Sequence, residues 1–420
     1  MKSLLCLILF TFFCSSLQAK TNTKIYLGID VLQHQGFKQV KGKSIGLLTN
    51  QAGVNRNGIS TITVLRNAPD VNLKALFGPE HGIYGDEIAY KPVEDKIDFK
   101  TGLPVYSLYG KYRKPTPKML KGLDAVVIDI QDVGVRSYTY IACVRYVVEE
   151  CFKNNIEVII LDRPNPLGGL KVSGPIMEKK WISYVGAYPI PYVYGLTLGE
   201  LIYMARGTKG MLDIDDNVRK NGKLTIVPMY GWKRTMRWPD TGLKWIPTSP
   251  IIKDLSAALG YSMTGLGCIG SGFKHGYGTN YPFRMLQYSG KTPEQILAEL
   301  RSRHIQGLDY RIVTFKNKKG QLRRGVYLLV NDWQKFDPTE ISFQMLQIAA
   351  KWDKQNHKGN PYAKAKRLTY LLFNKHIGNE TFWNDLVEKG HKINLDVYLK
   401  RWKQDAQTFQ EQSKRFWIYK

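Results

Sequence analysis

The chain has 420 residues and a net charge of +26, from 61 Lys and Arg against 35 Asp and Glu. That length fits two domains with substantial cores, and an excess of positive charge favours polyanionic partners. No recognition helix, zinc finger or aromatic RNA-binding signature accompanies the charge, so nucleic acid is excluded as the expected partner. Anionic cell-wall glycans or a lipid surface suit an exported chain better, and general surface basicity explains the excess equally well.

Residues 1–19 read as a signal peptide. Met1-Lys2 gives a short positive start, Leu4 to Phe13 is an almost unbroken apolar run, and Ser15-Ser-Leu-Gln-Ala19 offers small residues before Lys20. The run is too short to span a bilayer stably. The expected location is therefore periplasmic or extracellular, with a lipid anchor at Cys14 as the alternative. No later stretch reaches 18 uninterrupted apolar residues, so no stable membrane insertion is expected. Cys143, Cys151 and Cys268 form neither a disulfide framework nor a metal-ligand spacing. On one helix, Cys143 and Cys151 stand too far apart to bridge.

Short aliphatic runs then alternate with helical patterns. Ser44–Thr49, Asn72–Phe77, Asp124–Asp129 and Glu157–Asp162 look like buried parallel strands, with a further strand at Leu224–Met229. Helices are predicted over Ile59–Asn67, Tyr138–Lys153 and Leu198–Ala205. This alternation predicts an α/β fold with a Rossmann-like, doubly wound parallel sheet over residues 22–285. Beyond it a helix at Thr292–His304, strands at Tyr310–Phe315 and Gly325–Val330, and helices at Ser342–Trp352, Thr381–Lys389 and Asn394–Gln412 predict a smaller α+β domain, residues 286–420.

Polar residues concentrate just past the strand ends. The first strand runs into Asn50 and Gln51, the second into Glu80 and His81, the third into Asp129, Asp132 and Arg136, and the fourth into Asp162, Arg163 and Asn165. Ligands of open parallel sheets bind outside the carboxyl ends of the strands, so these residues mark the expected site. Glu80, in Phe77-Gly-Pro-Glu-His-Gly82, is a carboxyl at a strand end beside an apolar wall, a setting suited to a general acid. The blander roles are a helix cap or a salt bridge to Arg136. Asp129, Asp132 and Arg136 share one loop that can orient sugar hydroxyls and a carboxylate, or simply stiffen itself through an Asp–Arg pair. Tyr188, Tyr192, Tyr194, Trp232, Trp238 and Trp245 sit in Pro-rich loops, where most rings pack and one or two can stack on sugar. The histidines lack ligand spacing, no Gly-x-Gly-x-x-Gly follows the first strand, and no Gly-x-Ser-x-Gly occurs, so neither a metal nor any other cofactor is expected.

Ordered motifs carry a family resemblance. Gly46-Leu-Leu-Thr-Asn-Gln-Ala-Gly-Val54, Pro79-Glu-His-Gly82, Ser107-Leu-Tyr-Gly110, Asp129-Ile-Gln-Asp-Val-Gly-Val-Arg-Ser-Tyr-Thr-Tyr140, Leu161-Asp-Arg-Pro-Asn-Pro166, Gly195-Leu-Thr-Leu-Gly-Glu200 and Phe416-Trp-Ile-Tyr419 resemble the exo-β-N-acetylmuramidases of the NamZ type. The resemblance implies release of N-acetylmuramic acid from non-reducing ends of peptidoglycan fragments, in a cleft between two domains. Its partner would be a muramic-acid-containing glycan or muropeptide. It makes Glu80 the catalytic candidate, with His81, Asp129 and Asp132 beside it. Asn50, Gln51, Arg136, Tyr138, Asp162, Arg163, Asn165 and Glu200 become candidate substrate contacts, and Arg136 or Arg163 candidate holders of the lactyl carboxylate of muramic acid. A second family segment departs. Ile269 stands where a glutamate is expected, Tyr277 where an arginine is, Asn280 where an aspartate is, and Ile251 where an asparagine is. The second carboxylate of the usual glycosidase pair is then Asp129, Asp132 or Glu200, or the substrate acetamido group assists. The alternative is a member that binds muropeptides with altered specificity or without turnover.

Overall fold

The computed structural model describes residues 24–87, 93–317, 319–355 and 359–420. The leader expected over residues 1–19, with Cys14, lies outside the described residues. The first domain is built on seven strands: β1 Ser44–Thr49, β2 Asn72–Gly78, β3 Lys96–Ile97, β4 Pro104–Ser107, β5 Ala125–Asp129, β6 Glu157–Leu161 and β7 Leu224–Val227. Its helices are α1 Gly28–His34, α2 Thr61–Arg66, α3 Pro117–Leu120, α4 Tyr140–Lys153, α5 Leu198–Gly207 and α6 Asp216–Asn221.

The sheet order is β3-β4-β2-β1-β5-β6-β7, parallel throughout except for the β3–β4 edge pair. Its six parallel strands thus follow the order of dinucleotide-binding sheets, with the topological switch between β1 and β5. Alternate residues of the central strands feed opposite cores. Val126 and Ile128 of β5 and Val158 and Ile160 of β6 pack with α4 and α5. Val127 and Ile159 pack with α1 and α2. A strand buried on both faces must be apolar at every position, which is why these runs stand out in the sequence. β4 escapes that signal because it has four residues, two of them only half-buried.

The second domain holds α7 Leu255–Thr264, β8 Met285–Leu286, α8 Pro293–Arg301, β9 Leu308–Lys316, β10 Leu322–Val330, α9 Glu340–Gln355, α10 Arg367–Ile377, α11 Glu380–Lys389 and α12 Leu395–Ser413. Its antiparallel sheet runs β8-β10-β9. β8 already pairs with β10 at Met285–Tyr327, and Met263 of α7 packs in the same core as Met345. The chain has therefore entered the second domain by α7, ahead of the division expected at residue 286. Among the described residues, no helix is long and apolar enough to cross a membrane. Cys143 and Cys151 lie on α4 as free, buried thiols.

Candidate active site

β2 ends at Gly78, and Pro79-Glu-His-Gly82 turns the chain over the carboxyl edge of the sheet. The turn needs left-handed backbone at two successive residues, His81 at φ 73° and Gly82 at φ 72°. Glycine adopts it freely, whereas the histidine is strained by about 1 kcal/mol, a cost that gathers at functional sites. His81 Nδ1 lies 3.0 Å from the Glu87 carbonyl. A carbonyl only accepts, so Nδ1 carries the hydrogen and His81 clasps its own loop. The next turn residue, Gly85 at φ 74°, is fixed by its neighbour: a Cβ there would stand 2.2 Å from the Gln51 amide. Gln51 in turn donates to the Pro247 carbonyl at 2.8 Å, joining the Glu80 loop to the segment that leads into α7.

Glu80 is buried, 9 % exposed, and faces the start of α4. Thr139 is the N-cap residue of that helix, yet its side chain caps no backbone N–H. Its hydroxyl donates instead to Glu80 Oε2 at 2.9 Å. A side-chain cap is worth about 1 kcal/mol of helix stability; α2, α5, α7, α8 and α11 have one, whereas α4 shares its absence with α1, α10 and α12. The Tyr109 phenol lies beside Glu80, and burial together with that carboxyl pushes its pKa up. Tyr140, its pKa raised by burial with a smaller push from the Glu80 charge, donates its hydroxyl to the Thr248 carbonyl. The Arg113 guanidinium stacks over Tyr109 at 4.0 Å and over Tyr184 at 4.5 Å. Tyr138 packs edge-on against Tyr140 at 4.6 Å and donates to Thr248 at 2.9 Å. The result is one carboxyl ringed by protonated phenols and a hydroxyl, with a cation at its rim.

The structure thus brings Asn50, Gln51, Glu80, His81 and Tyr138 together. It gives the remaining predicted residues to the fold. Asp129 has no exposed surface; Arg163 Nε and Nη2 grip its two oxygens, and Thr61 donates to it as well. Asp129 is wholly buried and Arg163 nearly so, and each takes up the other's charge inside the fold. Asp162 accepts from Thr197 at 2.6 Å, Gly199 N at 2.9 Å and Tyr419 at 2.7 Å. Glu200 is paired with Arg234 at 2.6 Å and accepts from Ile418 N at 2.9 Å. These two acids anchor the C-terminal Phe-Trp-Ile-Tyr segment rather than substrate, and Arg234 lies 3.7 Å from the Trp417 ring centroid. Burial pushes Asp162 up to about 6.

Arg136 is likewise committed. Its Nη1 donates to the carbonyls of Pro175 at 2.8 Å and Ile190 at 2.6 Å, its Nη2 to those of His376 at 2.7 Å and Ile377 at 2.9 Å. It ties the first domain to the last turn of α10, whose carbonyls have no helical partner, and has no fork left for a carboxylate. Asp132 accepts from Gly134 N at 2.7 Å and from the Tyr194 hydroxyl, and burial pushes it up to about 6. Asn165 locks the same loop by donating to the Leu196 carbonyl at 2.9 Å. Gly134, at φ 77°, must lack a side chain because a Cβ would meet the Asn165 amide at 2.3 Å.

Sequence reasoning left Tyr109, Arg113 and Tyr184 out of the site, and carried Thr139 and Tyr140 only as part of the Asp129–Tyr140 motif. The signal for Tyr109 was the Ser107-Leu-Tyr-Gly110 motif, which follows the unrecognised β4. Of the loop aromatics, Tyr188, Tyr192, Tyr194, Trp232 and Trp238 are buried, and Trp245 packs against Trp238 at 5.0 Å. A second cavity, of ≈ 320 Å³, opens at the β1–β5 switch and is lined by Val54, Asn55, Gln131, Arg163, Trp238 and Lys244 among others. In the departing segment, Ile269 packs against the apolar core of the second domain. Tyr277 and Asn280 are exposed, and His275 lies edge-on to Phe283 at 4.8 Å.

Fold and site together define a two-domain protein with a Rossmann-like sheet and one acid in an aromatic recess at its carboxyl edge. The N-terminal model of exo-β-N-acetylmuramidase NamZ matches residues 45–256, and the C-terminal model matches residues 259–419. The chain is 41% identical over 334 residues to the peptidoglycan β-N-acetylmuramidase NamZ of Bacillus subtilis strain 168, covering 79% of this chain and 78% of that one. It therefore belongs to the NamZ family. Two solved DUF1343 family proteins from Bacteroides fragilis NCTC 9343 share the fold. One has TM-score 0.83 at 38% identity, covering 95% of this chain and 100% of that one; the other has TM-score 0.68 at 26% identity, covering 94% and 99%.

Proposed function

We propose that the protein is an exo-acting glycoside hydrolase that releases N-acetylmuramic acid from the non-reducing ends of peptidoglycan fragments. The observation that carries this reading is the diverted helix cap: Thr139 gives its hydroxyl to Glu80 Oε2. A hydroxyl turned from its own helix onto a buried carboxyl fixes that carboxyl in place. Family membership supplies the substrate class. Glu80 passes a proton to the glycosidic oxygen as the bond from that oxygen to the anomeric carbon breaks.

The other half of the reaction falls to the substrate. Asp129 and Glu200 are sealed in ion pairs with no exposure, and Asp132 is bonded into its own loop. The acetamido oxygen attacks the anomeric carbon from the face opposite the leaving group, forming an oxazolinium ion that keeps the amide hydrogen. Water opens that ring, losing its proton to the Glu80 carboxylate, so anomeric configuration is retained. Such assistance is an established variant of the two-carboxylate scheme. Hydrolysis of chromogenic N-acetylmuramides with successively fluorinated acetamido groups tests it. The rate should fall steeply with each fluorine and vanish in Glu80→Gln; a rate indifferent to fluorination, or to that substitution, overturns the mechanism.

A second reading, a muropeptide-binding member without turnover, draws on Ile269 and Asn280 standing where the family segment carries acids. Saturable binding of the muramide without release would favour it. The apolar run and small residues of positions 1–19 support export, to the periplasm; fractionation of the expressed full-length chain tests this, and retention in the cytoplasm overturns it.

A further inference from the structure

We propose that Arg113 is the specificity residue that receives the lactyl carboxylate of muramic acid. This rests on the muramidase reading above and names the group within that site that separates muramic acid from glucosamine. The two sugars differ only by the lactyl ether on C3, which carries one negative charge at neutral pH. C3 lies two ring atoms from the anomeric carbon, so the receptor for that charge must stand within a sugar's width of the acid that acts there.

Arg113 meets this condition. Tyr109, which lies beside Glu80, carries the Arg113 guanidinium on its ring, 4.0 Å from ring centroid to Cζ. Tyr184 supports the same guanidinium at 4.5 Å, and the two rings are 6.0 Å apart. Tyr109 and Tyr184, through their rings and their hydroxyls, hold the guanidinium in place, while Arg113 as a residue remains exposed. A stacked guanidinium keeps its edge donors for a carboxylate, which a lysine ammonium cannot match bidentately.

The other arginines of the site loops are taken. Arg136 serves four carbonyls, Arg145 pairs with Glu149 at 2.6 Å, and Arg163 pairs with Asp129. Nearby Lys114 pairs with Glu150 at 3.1 Å. Among the described residues, Arg113 has no carboxylate within ion-pair distance. A basic side chain clamped beside the general acid, and left without an anion, is suited to an anion that the substrate brings.

The test is a pair of titrations by calorimetry, N-acetylmuramic acid and N-acetylglucosamine, against the wild type, Arg113→Gln and Arg113→Lys. Steady-state hydrolysis of a chromogenic N-acetylmuramide accompanies them. Loss of a charge-assisted bidentate contact should weaken N-acetylmuramic acid by about 10- to 100-fold in Arg113→Gln. Binding of N-acetylglucosamine should change little, and Arg113→Lys should recover part of the loss. In hydrolysis the loss should sit in KM rather than kcat. Equal weakening for both sugars, or none for either, overturns the assignment while leaving the muramidase reading intact. A wild type that neither binds nor hydrolyses the muramic acid ligands overturns both.

Discussion

Replacing Arg136 by methionine separates a fold-holding role from a substrate-binding one. Burial pushes the Arg136 guanidinium from 12.5 down to about 9, a cost of about 5 kcal/mol at about 1.4 kcal/mol per pH unit. Four charge-assisted bonds of about 2 kcal/mol each return about 8 kcal/mol, so the side chain stabilises the fold by about 3 kcal/mol. Methionine fills similar volume but leaves the carbonyls of Pro175, Ile190, His376 and Ile377 without that donor. The expected outcome of Arg136→Met is a loss of about 3 kcal/mol in urea unfolding at pH 7, and more if water does not reach those carbonyls. The folded fraction should hydrolyse a chromogenic muramide with an unchanged KM. A loss under about 1 kcal/mol, accompanied by a raised KM, would refute this reasoning and return Arg136 to the substrate.

Three other outcomes follow from the buried charges and thiols. Glu200→Gln strands the Arg234 guanidinium, whose partner lies at 2.6 Å with both side chains almost wholly buried; a loss of about 3–5 kcal/mol is expected in urea unfolding, and a near-neutral change would mean that the C-terminal anchor is not held by this pair. Asp132, pushed up to about 6 by burial, keeps its proton in the fold where the unfolded chain has lost it. Its contribution is therefore present at low pH and is lost as pH rises from about 4 to about 6, by about 3 kcal/mol. His275, pushed down to about 4 by burial, acts with the opposite sign, its contribution fading as pH falls from about 6.5 to about 4. Urea midpoints of wild type and Asp132→Asn should lie close together near pH 4 and diverge as pH rises toward and past 6, the wild type losing stability relative to the variant, and parallel curves would count against the buried acid. Burial pushes the Cys143 thiol up to about 12, and Cys151 is raised likewise; both should resist thiol reagents until the chain unfolds, so rapid labelling of the native protein would contradict their burial.

How far the sequence led depended on how local each signal was. β1, β2, β5 and β6 were legible because strands buried on both faces must be continuously apolar, a property carried by the strand itself. Their alternation with amphipathic stretches gave the doubly wound order, and that order alone placed Asn50, Glu80, Asp129 and Asp162 on one edge. α10 and β4 were missed for the same reason in reverse: the signals of short or family-motif segments are shared with neighbours that are distant in sequence.

What no local pattern states is which polar side chains at that edge are already occupied. Asp162 is bonded to Tyr419, 257 positions away, and Arg136 to Ile377, 241 positions away. Glu80 owes its place to Thr139, 59 positions on, in a contact visible only as an absent helix cap. Hydrophobic periodicity is set by neighbours along the chain, so composition and order determined the fold class and the edge where chemistry gathers. The pairing of buried charges depends on elements brought together by packing, and only the tertiary structure decided that Glu80 meets a hydroxyl and tyrosines without an ion pair while Asp129, Asp162 and Glu200 are bonded into the fold.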